Sequence, residues 1–207
     1  LSTSKRIDGL WVGTWESRAN AVAVLRRVED ALRLIKTFDP LRYKRIGRDL
    51  ERVWVLVLPG DLGQFAASIK ACKLDTRFIL ADTTSPEMIA STIVHEATHA
   101  RLWNYGIGYE EGLRARVEAV CLRREIIFSA KLPHGSEVRD RAERTLEWCL
   151  TDDHWTDAAF NARHIEGGME ALRHLGAPEW LVCTMPAMAA LRLSIGRRLR
   201  KMFANRG

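Results

Sequence analysis

The chain reads as an α+β protein: a small β-sheet first, then a mostly helical C-terminal half. Three observations predict this. Val53-Trp-Val-Leu-Val-Leu58 is a β-branched run closed by Pro59-Gly60, which is strand chemistry. From residue 85 onward, apolar residues recur at three- and four-residue steps, which is helix periodicity. The 207 residues are 47% hydrophobic and 28% charged, globular values that suffice for one domain with a sizeable core.

Taken in order, residues 1–15 form a lead-in containing Gly9 and Gly13. Glu16 to Phe38 is a long core-packing helix, with Ala21, Val24, Leu25, Val28, Leu32 and Ile35 on one face. Asp39-Pro40 stops it, because the residue before proline is pushed out of the helical region. The strand at residues 53–58 follows. Phe65 to Leu74 reads as a second strand or a mixed segment, and Arg77-Phe-Ile-Leu-Ala81 as a further strand. Ser85-Pro86-Glu87 opens a helix: Ser caps, Pro takes the first helical position, Glu favours the first turn. That helix runs to about Asn104 and ends before Gly106-Ile-Gly108. A second helix covers residues 109–125. After the turn at Pro133-His-Gly135, helices are expected at residues 136–150, at 152–165 with an end at Gly167-Gly168, and at 170–175. Residues 179–207 are a basic helical segment. Its apolar run from Trp180 to Leu191 is broken by Pro186 and too short to span a bilayer, so docking on the core is favoured over membrane contact.

Within the helix at 86–104 lies His95-Glu96-Ala97-Thr98-His99. Histidines at i and i+4 share one helical face, which lets a single Zn²⁺ take a nitrogen from each. Glu96 adjoins the first and can reach a metal-bound water as general base. A hydrolytic zinc site needs a third protein ligand. The nearest later histidine, His134, lies beyond the next helix, which leaves Glu110, Glu111, Glu118 and Glu125. If the two helices form an antiparallel pair about the turn at 105–108, residues equidistant from the turn lie side by side. His95 is nine residues before Asn104 and Glu118 nine after Tyr109. At about 1.5 Å rise per residue, Glu118 falls within roughly 3 Å of the metal's level and Glu111 roughly 7 Å away. Glu118 is therefore the ligand expected and Glu111 the reserve. The alternative is that Glu118 merely pairs with Arg114 at i−4.

The pattern His95-Glu96-x-x-His99 resembles the active-site helix of zinc metallopeptidases, the zincins. The resemblance covers residues 86 to 125. Glu118, nineteen residues past His99, fits the thermolysin-like branch, the gluzincins; the lack of a histidine in residues 100–110 excludes the metzincins. One departure is Leu122, where the thermolysin-like pattern has an Asp that orients the first histidine. Glu111-Gly112-Leu113 is similar to a zinc-aminopeptidase segment, but its spacing is too short. The resemblance implies a zincin-like fold, with a small sheet before the active-site helix and an edge strand lining the substrate cleft. It also implies hydrolysis of peptide or amide bonds by a metal-activated water, with Glu96 handing a proton to the leaving amine. Tyr105, Tyr109, His134, His154 and His164 are candidates for a donor to the developing oxyanion. The rival reading is a zincin-like intracellular binding or regulatory protein with little or no activity.

Composition narrows the partners. The net charge of +6 is carried mostly by arginines spread over the helices, and no nucleic-acid motif accompanies it. The expected partner is a peptide or protein substrate. Cys72, Cys121, Cys149 and Cys183 include no C-x-x-C pair, so a cysteine zinc site is not expected and the thiols read as reduced in a cytoplasmic protein. No signal peptide is visible, although the chain opens at Leu1 and not Met. A second metal site from Asp152, Asp153, His154, Asp157, His164 and Glu166 can be drawn, but exposed polar residues on a capped helix are the favoured reading.

Overall fold

A hairpin, not a lead-in, begins the chain. The computed structural model describes residues 2–151 and 153–186. Strand β1 (Thr3–Ile7) turns at Asp8-Gly9 into β2 (Leu10–Thr14), with both turn residues at positive φ, 46° and 93°. Asp-Gly between two strands is the residue pair that tolerates this turn, and it is the signal that identifies the hairpin. Helix α1 (Arg18–Phe38) follows, capped by Ser17. Asp39-Pro40 ends α1 and also starts α2 (Pro40–Asp49): Pro40 occupies the first turn, where no N–H is needed, and the Asp39 carboxylate accepts from Arg42 N.

The sheet is completed by β3 (Arg52–Leu56), β4 (Gly63–Ala66) and β5 (Ala71–Asp75). Its order is β1-β2-β3-β5-β4. The inner pairs β2–β3 and β3–β5 are parallel, and the outer pairs β1–β2 and β5–β4 antiparallel. The sheet is therefore mixed, and β4 is an edge. The strand expected at Arg77–Ala81 is instead helix α3 (Thr76–Leu80). Asp75 reverses the outcome: its carboxylate accepts from Arg77 N at 2.8 Å and Phe78 N at 3.2 Å, and so nucleates a helical turn that the apolar run alone does not announce.

Helix α4 (Pro86–Asn104) has the predicted bounds and the Ser85 cap. Helices α5 (Glu111–Ser129), α6 (Ser136–Cys149) and α7 (Asp157–His174) follow, and residues 179–186 are helical. The expected segment beyond residue 186, with its arginines, lies outside the described residues. No helix among the described residues is long and apolar enough to cross a membrane. The architecture is thus a mixed α+β fold with an N-terminal sheet and a mostly helical remainder.

The main core lies between the sheet and helices α1 and α4. Val12, Val53, Val55 and Leu74 meet Val24, Val28, Leu32, Ile35, Ile89 and Ile93, all 1% exposed or less. Each such side chain contributes about 1.5–3 kcal/mol of burial. The alternation of buried and half-exposed residues along β3 leaves the other sheet face partly open.

Helix α7 does not end at Gly167-Gly168. It runs through them and crosses the loop after β3 there. A Cβ on Gly167 would stand 2.2 Å from Gly60 Cα and N. Two glycine backbones touch at this point, and it seats α7 beside the site described next. Gly167→Ala is expected to destabilise the protein by about 1–3 kcal/mol, since backbone cannot step aside as a side-chain tip can. Chemical denaturation measures this; unchanged stability would show that α7 does not bear on the loop.

Candidate metal centre

Helix α4 presents two faces. Ile89, Ile93 and Ala100 face the core, while Thr92, His95, Glu96 and His99 line a cleft of about 610 Å³. Helix α5 packs alongside with Glu118, Leu122 and Glu125 on the same cleft. Edge strand β4 forms another wall, and Trp155, Phe160 and Arg163 close it from the α7 side.

At the bottom of the cleft four atoms converge. His95 Nε2 and His99 Nε2 are 3.1 Å apart. Glu118 Oε2 is 3.1 Å from His95 Nε2, and its Oε1 is 3.3 Å from His99 Nε2. All three side chains are largely buried. The Glu118 carboxylate also accepts a hydrogen bond from the Tyr109 hydroxyl. His95 Nδ1 lies 2.6 Å from Glu125 Oε1, and the other Glu125 oxygen accepts from Ser91 Oγ at 2.8 Å. With Nδ1–H donating to that carboxylate, the lone pair of His95 points from Nε2 towards His99 and Glu118.

This donor set fits a metal ion. Two nitrogens at about 2.0–2.1 Å from a tetrahedral zinc are about 3.3 Å apart, close to the separation here. Two imidazole nitrogens and a carboxylate at this range are an arrangement that a shared cation would satisfy. A carboxylate holding the far nitrogen of a ligand histidine is the usual support of such a site. His95, His99 and Cys121 form a buried three-residue cluster able to chelate a metal, their ligand atoms all within 4.8 Å of one another. Asp152, one of the residues from which a second site can be drawn, lies outside the described residues. Comparisons with known protein families, with curated proteins and with solved structures return no match. The reading of this centre therefore stands on its geometry.

The electrostatics agree with a cation site. Burial pulls the histidines towards the neutral form, but the acidic groups around them win. Cys121, Glu118 and Glu96 push His99 up to about 10, and His95 is raised as well, against its burial, by Cys121, Glu118 and Glu125. Burial disfavours the charged form of Glu118, yet its bonds to the two histidines outweigh this and hold its carboxyl well below the usual range. Glu96 moves the other way. Burial raises it, only partly countered by His99 and His95, and Glu118 and Asp61 add to the rise. The two carboxylates are thereby driven apart, Glu118 downward and Glu96 upward.

Several expectations are corrected. Glu111 does not reach the histidines; its Oε1 accepts from Asp157 N at 2.8 Å, at the start of α7. Glu118 does not pair with Arg114, whose guanidinium donates to Trp155 O at 2.6 Å and Asp157 Oδ1 at 2.9 Å. Tyr105 is 67% exposed, against Arg101. His134 is exposed beyond α5. Neither lines the cleft. Tyr109 and His154 do line it, and His164 sits in an adjoining pocket with Asp61 and Arg163.

Three residues at the site escaped the sequence reading, and a fourth, Glu125, entered it only as a candidate ligand. Glu125 takes the orienting role that Leu122 cannot; it lies seven residues after Glu118, two helical turns, so the signal was a second carboxylate on the same face. Cys121 follows Glu118 by three residues and shares its face, which a search for C-x-x-C pairs overlooks. Asp61, just after the Pro59-Gly60 turn, lines the cleft, and burial raises its carboxyl despite His164 and Arg163. Gly63 on β4 lets the strand lie against Glu96: a Cβ there would be 3.0 Å from Glu96 Oε1 and 2.7 Å from Thr92 Cγ2.

Proposed function

We propose that this protein is a zinc-dependent hydrolase that cleaves peptide or amide bonds. The observation that carries the proposal is the convergence of His95 Nε2, His99 Nε2 and the Glu118 carboxylate, with Glu125 behind His95 and a buried Glu96 beside them. His95, His99 and Glu118 would hold the metal. Bound there, zinc would supply a Lewis acid and would lower the pKa of its water towards neutrality.

The remaining roles belong to the chain. Glu96 accepts a proton from the attacking water and delivers it to the leaving amine, which its raised affinity for protons favours. Glu125 and Ser91 hold the His95 ring, and Tyr109 holds Glu118; with its hydroxyl so committed, Tyr109 is a positioning residue and not a free donor to an oxyanion. Strand β4 borders the cleft with a free edge, so an extended peptide can add to it by main-chain hydrogen bonds. Gly63 keeps that edge close to Glu96.

The proposal is tested by metal analysis of the purified protein and by a peptide-library screen with zinc-loaded and chelator-treated protein. Expected are about one zinc per chain and cleavage that disappears with the metal. A protein that takes up no zinc on reconstitution overturns the metal site. One that holds zinc yet cleaves nothing moves the reading to a zincin-like binding or regulatory protein.

A further inference from the structure

Helix α4 separates the metal centre from a second concavity. On the side away from His95 and His99, residues Val94, Ala97, Thr98 and Arg101 face a cleft of about 90 Å³. Its other walls come from α2 and from α5 at Arg124. Four arginines line it: Arg42, Arg45, Arg101 and Arg124. They come from three helices and from positions as far apart as 42 and 124, so only the fold brings them together.

The charges there are not balanced. Asp49 is the one carboxylate lining the cleft. It is engaged by Arg48, at 3.1 and 3.3 Å, and by Asn104 at 3.4 Å. Arg42 is taken up by Asp39, which also holds Lys131. Arg101 Nη1 lies 3.6 Å from Asp49 Oδ2, yet it is shut off from solvent and makes no hydrogen bond. Arg45 and Arg124 pair with no carboxylate among the described residues. Like charges gathered around one small cavity repel, and leaving a guanidinium donor dry and unbonded costs free energy. A bound anion removes both costs.

The fork of a guanidinium matches the oxygens of a phosphate better than it matches a single acceptor. At about 90 Å³ the cleft has room for one phosphate group. We propose that this cleft is a phosphate-binding site, which takes either free phosphate or the terminal phosphate of a monoester. It shares no side chain with the metal centre, so it stands whether or not the chain is a hydrolase.

The test is calorimetric titration of the full chain with inorganic phosphate and with phenyl phosphate, at an ionic strength held constant with chloride. Arg45→Ala and Arg124→Ala remove exposed side chains and spare Arg101 and Asp49. Saturable binding is expected in the parent protein, weakened about tenfold or more in each variant, as the loss of a charge-assisted contact implies. Binding of inorganic phosphate alone would identify the free ion as ligand; binding of phenyl phosphate as well would identify a monoester. Absence of saturable binding for both probes overturns the proposal. So does binding that a variant combining Arg45→Ala with Arg124→Ala retains in full, since the phosphate would then sit elsewhere.

Discussion

Glu96→Gln is expected to lower turnover by about 100- to 10,000-fold, the usual range for losing a general base, while the protein keeps its zinc. Glutamine has the shape of glutamate and cannot take a proton. The dissociation of the two readouts follows from where Glu96 sits. Its carboxylate is not among the atoms that converge between His95, His99 and Glu118; it lies against β4 at Gly63. Burial, against the pull of His99 and His95 and with Glu118 and Asp61 adding to it, raises its affinity for protons, the direction that favours a general base. The measurement is kcat on a peptide taken from the library screen, together with the zinc content of the same preparation. A variant with undiminished kcat would remove Glu96 from the chemistry. One that lost zinc as well would make it part of the metal's support.

Glu118→Ala is expected to abolish zinc retention, weakening affinity by more than the roughly 10- to 100-fold typical of losing an outer partner. Two donors on α5 compete for the third position, Glu118 and Cys121. The carboxylate has an oxygen 3.1 Å from His95 Nε2 and another 3.3 Å from His99 Nε2, and Tyr109 fixes it. The thiol is fully buried in the same cluster. Cys121→Ser preserves volume and removes the soft donor, so it should leave zinc bound if Glu118 is the ligand. Glu111→Ala should leave zinc bound too, because Glu111 is committed to the start of α7. Glu125→Gln should weaken zinc by about 10- to 100-fold without abolishing it, as its carboxylate only orients His95. Dialysis against a graded chelator ranks the four variants. Zinc lost from Cys121→Ser and kept by Glu118→Ala would reverse the assignment.

These two sets of variants also show how far the sequence reached. The level argument, with His95 and Glu118 equidistant from one turn, predicts that Glu118 lies beside the histidines, and it does so because α4 and α5 are both regular and joined by a short connection. The same argument put Glu111 away from the pair but could not say what it would touch. Glu125 and Cys121 share the helical face of Glu118, whereas the thermolysin-like spacing points to Leu122. The hairpin at Asp8-Gly9 has a local signal, two adjacent residues that tolerate positive φ, whereas α3 has none in its own residues. Arg77 to Ala81 has the composition of a strand, and only the Asp75 side chain makes it a helix.

What the sequence by itself determined is α4: its Ser85 cap, its proline start, its two faces, and hence a pair of histidines with a glutamate between them. Those features depend on hydrogen bonds and periodicities contained within a turn or two of chain. What only the tertiary structure decided is everything assembled from distant segments. Strand β4 became the edge beside Glu96, Gly60 met Gly167 so that α7 could close the cleft, and arginines from α2, α4 and α5 gathered on the far side of the same helix. Such contacts depend on the order of strands in the sheet and on which helix covers which face, and neither is encoded in any one stretch of chain. They arise when the whole apolar surface of α1 and α4 is buried at once against the sheet, which fixes the remaining elements relative to one another.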